Sequence, residues 1–182
     1  PEYSGKTMAE VTRMNGLAPS IENGAEVAMD ILYDGDGSAI YFMMVEEDVK
    51  RIMVAPFTSI ASDGSAVPFG ENFPHLRNYG TFARVLARYV REESVLSLEQ
   101  AIHKMTALPA SRMRLTSRGT LAVGKVADIN IFDLNTVQDN HDWAHPHQYA
   151  EGFEYVIVAG TPVIDAGEPT GLRPGSILKR GS

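Results

Sequence analysis

Ala39-Ile40-Tyr41-Phe42-Met43-Met44-Val45, then Glu46 to Met53, then Phe57-Thr58-Ser59-Ile60-Ala61 is the stretch whose reading decides the fold. The first seven residues form an apolar run of strand length, with the β-branched and aromatic content of a strand buried on both faces. Glu46-Glu47-Asp48 puts three acids in the first turn of the following segment. The helix macrodipole favours negative charge there, so Glu46–Met53 is expected to be a short helix. Phe57–Ala61 is expected to be the next strand. Strand, helix and strand at this spacing make a βαβ crossover with parallel pairing. The second strand runs into Ser62-Asp63-Gly64, and a loop broken by Pro68, Gly70 and Pro74 then delivers His75 and Arg77. An acid at the carboxyl end of a buried strand, followed by a covering loop, is how α/β enzymes place ionisable groups.

Upstream, Thr7–Met14 is expected to be a helix stopped by Asn15-Gly16. Ser20 is expected to cap a second, running from Ile21 towards Tyr33, with Ala25, Ala28, Met29 and Leu32 at helical spacing. Asp34-Gly35-Asp36-Gly37 resembles the start of a calcium loop but lacks the later glutamate, and it reads as a turn. Downstream, Thr81–Arg91 is amphipathic: Phe82, Val85, Leu86, Tyr89 and Val90 make the apolar face, and Arg84, Arg88 and Arg91 make a stripe read as solvated. Ser97 and Gln100 have capping-box spacing for a helix to about Thr106, and another short helix is expected over Ala110–Leu115. From Gly119 the texture changes. Ala127–Asp133 alternates with period two, and Tyr155–Asp165 reads as a hairpin around Gly160-Thr161. A boundary near Arg118 therefore divides a βα part, residues 1–117, from a β part, residues 118–182.

The 182 residues carry a net charge of −7 with no basic cluster, so nucleic acid is not an expected partner. Hydrophobic and charged contents of 44% and 21% are ordinary for a globular protein, and no apolar run has membrane-spanning length. No cysteine is present, which excludes thiol catalysis and thiolate metal ligation by this chain. Nothing in the sequence argues for export, so the expected location is cytoplasmic.

Asp63 has two readings: a general acid/base or metal-site carboxylate, and the acid of an Asx-type turn. Arg77 suits bidentate capture of a substrate carboxylate, or is a solvated loop arginine. His75, Tyr79 and Ser65 are further loop contributors. His141, His145 and His147 include a His-x-His pair of the kind zinc uses. Pro146 lies between the last two, and the segment sits far from Asp63 in sequence, so a structural or surface role is expected.

Several strings together resemble the carboxyl-terminal third of the N-acyl-D-amino-acid deacylases (D-aminoacylases) of the amidohydrolase superfamily. They are Tyr3-Ser4-Gly5-Lys6-Thr7, Ser62-Asp63-Gly64, His75-Leu76-Arg77-Asn78-Tyr79-Gly80-Thr81-Phe82, and Lys104-Met105-Thr106 with Pro109-Ala110. Gly124-Lys125-Val126-Ala127-Asp128, which marks the superfamily more broadly, and Val156–Gly160 complete the set. His75-Leu76-Arg77 stands where the family usually has His-Pro-Arg. The resemblance implies an α/β fold, the last portion of a metal-dependent (β/α)8 TIM-like barrel followed by part of a small β-sandwich. It implies hydrolysis of N-acyl-D-amino acids. Asp63 matches the catalytic aspartate that takes a proton from the zinc-bound water and passes it to the leaving amine, and Arg77 matches the arginine that receives the α-carboxylate. It also implies a zinc whose ligands lie mainly upstream of residue 1, with Asp63 one option from this segment, and a partner in the remainder of the barrel. Two alternatives stay open: a cyclic-amide hydrolase of the dihydroorotase or hydantoinase type, and a non-catalytic fragment or structural subunit. The Tyr79-Gly80-Thr81-Phe82 string speaks against the former.

Overall fold

A computed structural model describes residues 2–35, 37–140 and 142–181, so Asp36 of the expected turn and His141 lie outside the described residues. The chain divides into two compact units, Pro1–Met43 with Pro68–His75, and Met44–Val67 with Leu76–Ser182.

The first unit is a helical pair. Helix α1, Met8–Met14, begins at a full capping box: the Thr7 hydroxyl accepts from the Glu10 N–H, and the Glu10 carboxylate accepts from the Thr7 N–H. Asn15 ends it, and its side-chain amide donates to the Val11 carbonyl at 2.8 Å. Helix α2, Ile21–Asp34, is capped by Ser20, as its sequence position suggested. Val11 and Val27 form the buried seam.

The second unit begins with α3, Glu46–Val54, whose three acids occupy its first turn as expected. The parallel βαβ pairing is not formed. Among the described residues neither 39–45 nor 57–61 joins a ladder, and Tyr41, Phe42, Met43 and Met44 are 73–79% exposed. An apolar run reads as buried, but a strand exists only where a neighbouring strand supplies N–H and C=O groups, and among the described residues no strand pairs with either segment. Residues 55–60 are held instead by α5, Leu98–Met105. The buried Lys104 side chain donates to the carbonyls of Ala55 and Thr58, and the Lys104 carbonyl accepts from Ile60 N–H at 3.0 Å. The expected capping box on α5 is present, formed by Ser97 and Gln100.

Between these elements lies α4, Arg77–Arg84, which continues as a π-helical segment, Val85–Glu92. It starts four residues earlier than the apolar pattern suggested, because Leu76 already has helical backbone angles (φ −54°, ψ −28°). Proline also fixes φ near this value, so the leucine keeps the backbone that His-Pro-Arg would set. Arg77 is thus the first helical residue and not a loop arginine. Val85, Leu86, Tyr89 and Val90 are buried, whereas Phe82 is 44% exposed.

The arginine stripe is half-buried and paired, not a freely solvated face. Arg84 pairs with the buried Asp139 at 2.8 Å, Arg88 pairs with Glu46 and Glu93, and Arg91 donates to the carbonyls of Leu134 and Val137. Burial opposes the Arg84 charge, but the hydrogen bond and charge of Asp139 outweigh it and raise its pKa above the usual value. Helical spacing located these side chains on one face; only the fold shows that the face docks onto another segment.

That segment belongs to the β part. Helix α6, Ala107–Met113, precedes it and starts three residues before the expected Ala110. Strands β1 (Ile129–Phe132), β2 (Phe153–Val158), β3 (Thr161–Asp165) and β4 (Glu168–Pro169) form an antiparallel meander in that order. The expected β2–β3 hairpin is present, but its two-residue turn is Ala159-Gly160, one position before the expected Gly160-Thr161. Ala159 and Gly160 both have positive φ, 49° and 80°, as a type I′ turn requires. The Gly124–Asp128 string ties this turn down: Asp128 accepts from the Ala159 N–H and pairs with Arg118, while Lys125 donates to the Thr116 carbonyl.

The excursion from β1 to β2, residues 133–152, packs over the long helix. Val137 is fully buried with Ala83 and Leu86, against Phe132 and Phe153. Gly152 closes the excursion at φ +83°, and a Cβ there would lie 2.5 Å from the Val137 N and Cα atoms. Gly152→Ala therefore combines a left-handed backbone with overlap against rigid main chain. It should cost about 3 kcal/mol, read as a lower urea midpoint at unchanged m-value. An unchanged midpoint would contradict this packing.

Candidate functional site

Asp63 follows the segment that Lys104 anchors, and it adopts φ +48°, a left-handed conformation in which aspartate and asparagine are enriched among non-glycine residues. Its turn is held on both sides. The Ser62 hydroxyl accepts from Gly64 N–H at 3.2 Å, and the Asn78 side-chain oxygen accepts from Ser65 N–H at 3.0 Å. Gly64 lies directly against α4: a Cβ there would meet the Asn78 Cα at 3.1 Å and the Arg77 carbonyl at 3.2 Å. The turn is thus braced by the side chains of Ser62 and Asn78, and the Asp63 carboxylate that it projects is 86% exposed.

The turn brings Asp63 to Arg77. Their Oδ2 and Nη2 atoms are 3.1 Å apart, and the guanidinium, 44% exposed, stands at the amino end of α4. There the helix macrodipole adds partial positive charge. The site thus offers an accessible acid or base beside an accessible anion receptor. His75 is half-buried and belongs to the other compact unit. Ser65 contributes its backbone N–H as described.

Tyr79 lies two residues beyond Arg77 and meets the histidine-rich excursion. Its hydroxyl is 2.9 Å from His147 Nδ1, and its ring makes edge contacts with His147 and Tyr149. Burial, and then the nearby Tyr149, raise the Tyr79 pKa. His145 is exposed and contacts Asp142 at 3.2 Å. The His-x-His pair is therefore divided between two different partners. Among the described residues no group of three or more His, Asp or Glu side chains is arranged to hold a metal ion.

Sequence reasoning missed Lys104 and Asn78. Lys104 carried a signal, because it stands three residues after Ala101 on the buried face of α5, where a charge needs partners. Asn78 carried none, since its contact depends on how the Asp63 turn folds back.

With this geometry in hand, the chain can be placed: it belongs to the amidohydrolase family, whose model matches residues 6–164. It is 43% identical over 182 residues to an N-acyl-D-aspartate deacylase and 41% identical over 180 residues to an N-acyl-D-glutamate deacylase, both from Alcaligenes xylosoxydans xylosoxydans. These matches take in 100% and 99% of this chain but 34% of each relative, so the chain spans about a third of their length. Shorter matches reach dihydroorotases, for example 37% identity over 67 residues to that of Endomicrobium trichonymphae, 37% of this chain and 15% of that protein. Among solved structures, a D-aminoacylase said to define a novel subset of amidohydrolases superposes with a TM-score of 0.84 at 36% identity, over 99% of this chain and 36% of its own. The N-acyl-D-glutamate deacylase of Bordetella bronchiseptica, complexed with zinc and a phosphonate mimic of the tetrahedral intermediate, gives 0.79 at 37% identity, over 93% of this chain and 34% of its own.

Proposed function

We propose that this chain is the carboxyl-terminal part of a zinc-dependent deacylase that hydrolyses N-acyl-D-amino acids to a carboxylate and a free D-amino acid. The observation that carries the reading is the Asp63–Arg77 pair, an exposed carboxylate and an exposed guanidinium 3.1 Å apart. It lies in a chain whose similarity to such deacylases runs from end to end. Residues 1–117 are assigned to the end of a (β/α)8 barrel and residues 118–182 to a flanking β-sandwich. The exposed 39–45 run and the 57–61 segment, which join no ladder among the described residues, are then strands that the remainder of the barrel pairs, since an open edge in an apolar strand needs covering. The assembled protein is placed in the cytoplasm; among the described residues no helix is long and apolar enough to cross a membrane.

In this assignment Asp63 is the general base and then the general acid. It takes the proton of the attacking water and returns it to the amine as the C–N bond breaks. Arg77 receives the α-carboxylate of the D-amino acid, its planar fork matching the two oxygens. Zinc, when bound, polarises the amide carbonyl and lowers the pKa of water. The described residues do not form a site for it by themselves, so its ligands are assigned mainly to sequence outside this chain, with Asp63 as the group this chain can offer.

The test is turnover by the assembled, metal-loaded enzyme on N-acetyl-D-amino acids, their L enantiomers and dihydroorotate. Release of D-amino acid alone is expected. Hydrolysis of dihydroorotate without D-amino acid release would replace this reading with the cyclic-amide one, and no turnover of any of them would favour a structural subunit.

A further inference from the structure

We infer that Asn78 is a positioning residue that locks the Asp63 turn onto the helix carrying Arg77. The inference rests on the roles just proposed for Asp63 and Arg77. Asp63 occupies a left-handed conformation, φ +48°, which aspartate tolerates better than most residues but which stays sparsely populated unless its surroundings hold it. Something must over-determine it. Ser62 braces the turn from within, through the Gly64 N–H. Asn78 is the brace from outside, accepting the Ser65 N–H at 3.0 Å across thirteen residues of chain. The fit at Gly64 brings the turn against the Asn78 Cα, which a Cβ on Gly64 would meet at 3.1 Å, so a side chain there would have to push the two apart.

The placement of Asn78 gives the contact its consequence. It is the second residue of α4 and the neighbour of Arg77, so one helical turn holds both the guanidinium and the loop of the acid. A proton-transfer group and a carboxylate receptor must keep a fixed separation for the scissile bond to lie between substrate anchor and base. The Asn78–Ser65 hydrogen bond sets that separation through the backbone, independently of whether Asp63 and Arg77 are themselves paired. Once a substrate carboxylate occupies Arg77, the direct pair is given up and the Asn78 brace remains.

Two variants of the assembled enzyme test this. Asn78→Ala removes the acceptor, and Asn78→Asp keeps an oxygen at the same reach. Asn78→Ala should lower kcat about tenfold with KM changed less than about twofold, and Asn78→Asp should recover most of the loss. Amide hydrogen exchange at Ser65 should be faster in Asn78→Ala and near that of the unsubstituted protein in Asn78→Asp. Unchanged exchange at Ser65 would overturn the brace, and faster exchange with unchanged kcat would overturn its role in positioning. If the unsubstituted enzyme releases no D-amino acid, the functional reading fails by itself, and the exchange experiment still decides whether Asn78 holds the turn.

Discussion

Asp63→Asn in the assembled, metal-loaded enzyme should lower kcat by about 10²- to 10⁴-fold, the range that a positioned general acid/base supplies. Asparagine is the informative substitution because of the backbone. Asp63 sits at φ +48°, and asparagine shares the tolerance of aspartate for that region, so the turn should persist. An alanine would add a local conformational cost to the loss of the carboxylate and blur the two effects. The Asn78 and Ser62 contacts to the turn involve only the backbone N–H groups of Ser65 and Gly64, and they are untouched by the change. KM should therefore move little. Metal content separates the two chemical roles open to the carboxylate. Loss of turnover with full zinc assigns Asp63 to proton transfer, whereas loss of both turnover and zinc assigns it as a ligand. Retained turnover would remove Asp63 from the mechanism.

What was legible in the sequence was mostly local. Ser20, and Ser97 with Gln100, mark helix starts because a capping contact spans three residues and its two ends stand in the sequence together. The β2–β3 hairpin was legible for the same reason. The failures share a cause of the opposite kind. Tyr41–Met44 has the composition of a buried strand, yet burial is supplied by neighbours, and these four residues are 73–79% exposed among the described residues. Arg84 and Arg91 were placed on the correct side of their helix, but Asp139 and the Leu134 and Val137 carbonyls lie 43 to 55 residues away, where periodicity has nothing to say. At the site, the acid and the arginine could be named from their strings. Their 3.1 Å approach depends on Lys104 holding residues 55–60 and on Gly64 meeting Asn78, long-range contacts that only the fold supplies.

Replacing Arg77 with methionine, which keeps the length of the stem and removes the charged fork, should raise KM by about 10- to 100-fold. That corresponds to one or two charge-assisted hydrogen bonds to a substrate carboxylate. Because Arg77 opens α4, its loss leaves the partial charge of the helix end in place, so some attraction for the anion should survive. Lysine at this position restores a point charge without the planar fork and should give an intermediate KM. The direct pair with Asp63 creates a competing explanation, since the same substitution frees the carboxylate. The two are separated by a substrate that lacks the α-carboxylate, such as an N-acylated simple amine. If Arg77 is the anchor, the unsubstituted enzyme and Arg77→Met should turn this amide over with similar kcat/KM, because the interaction is already missing from the substrate. If Arg77 acts by orienting Asp63, the variant should be slower on both substrates and by the same factor, with kcat rather than KM carrying the change. An unchanged KM for the N-acyl-D-amino acid would exclude the anchor. The geometry favours the first outcome, because the Asp63 turn already has Ser62 and Asn78 to hold it, while the exposed guanidinium stands ready to exchange one carboxylate for another.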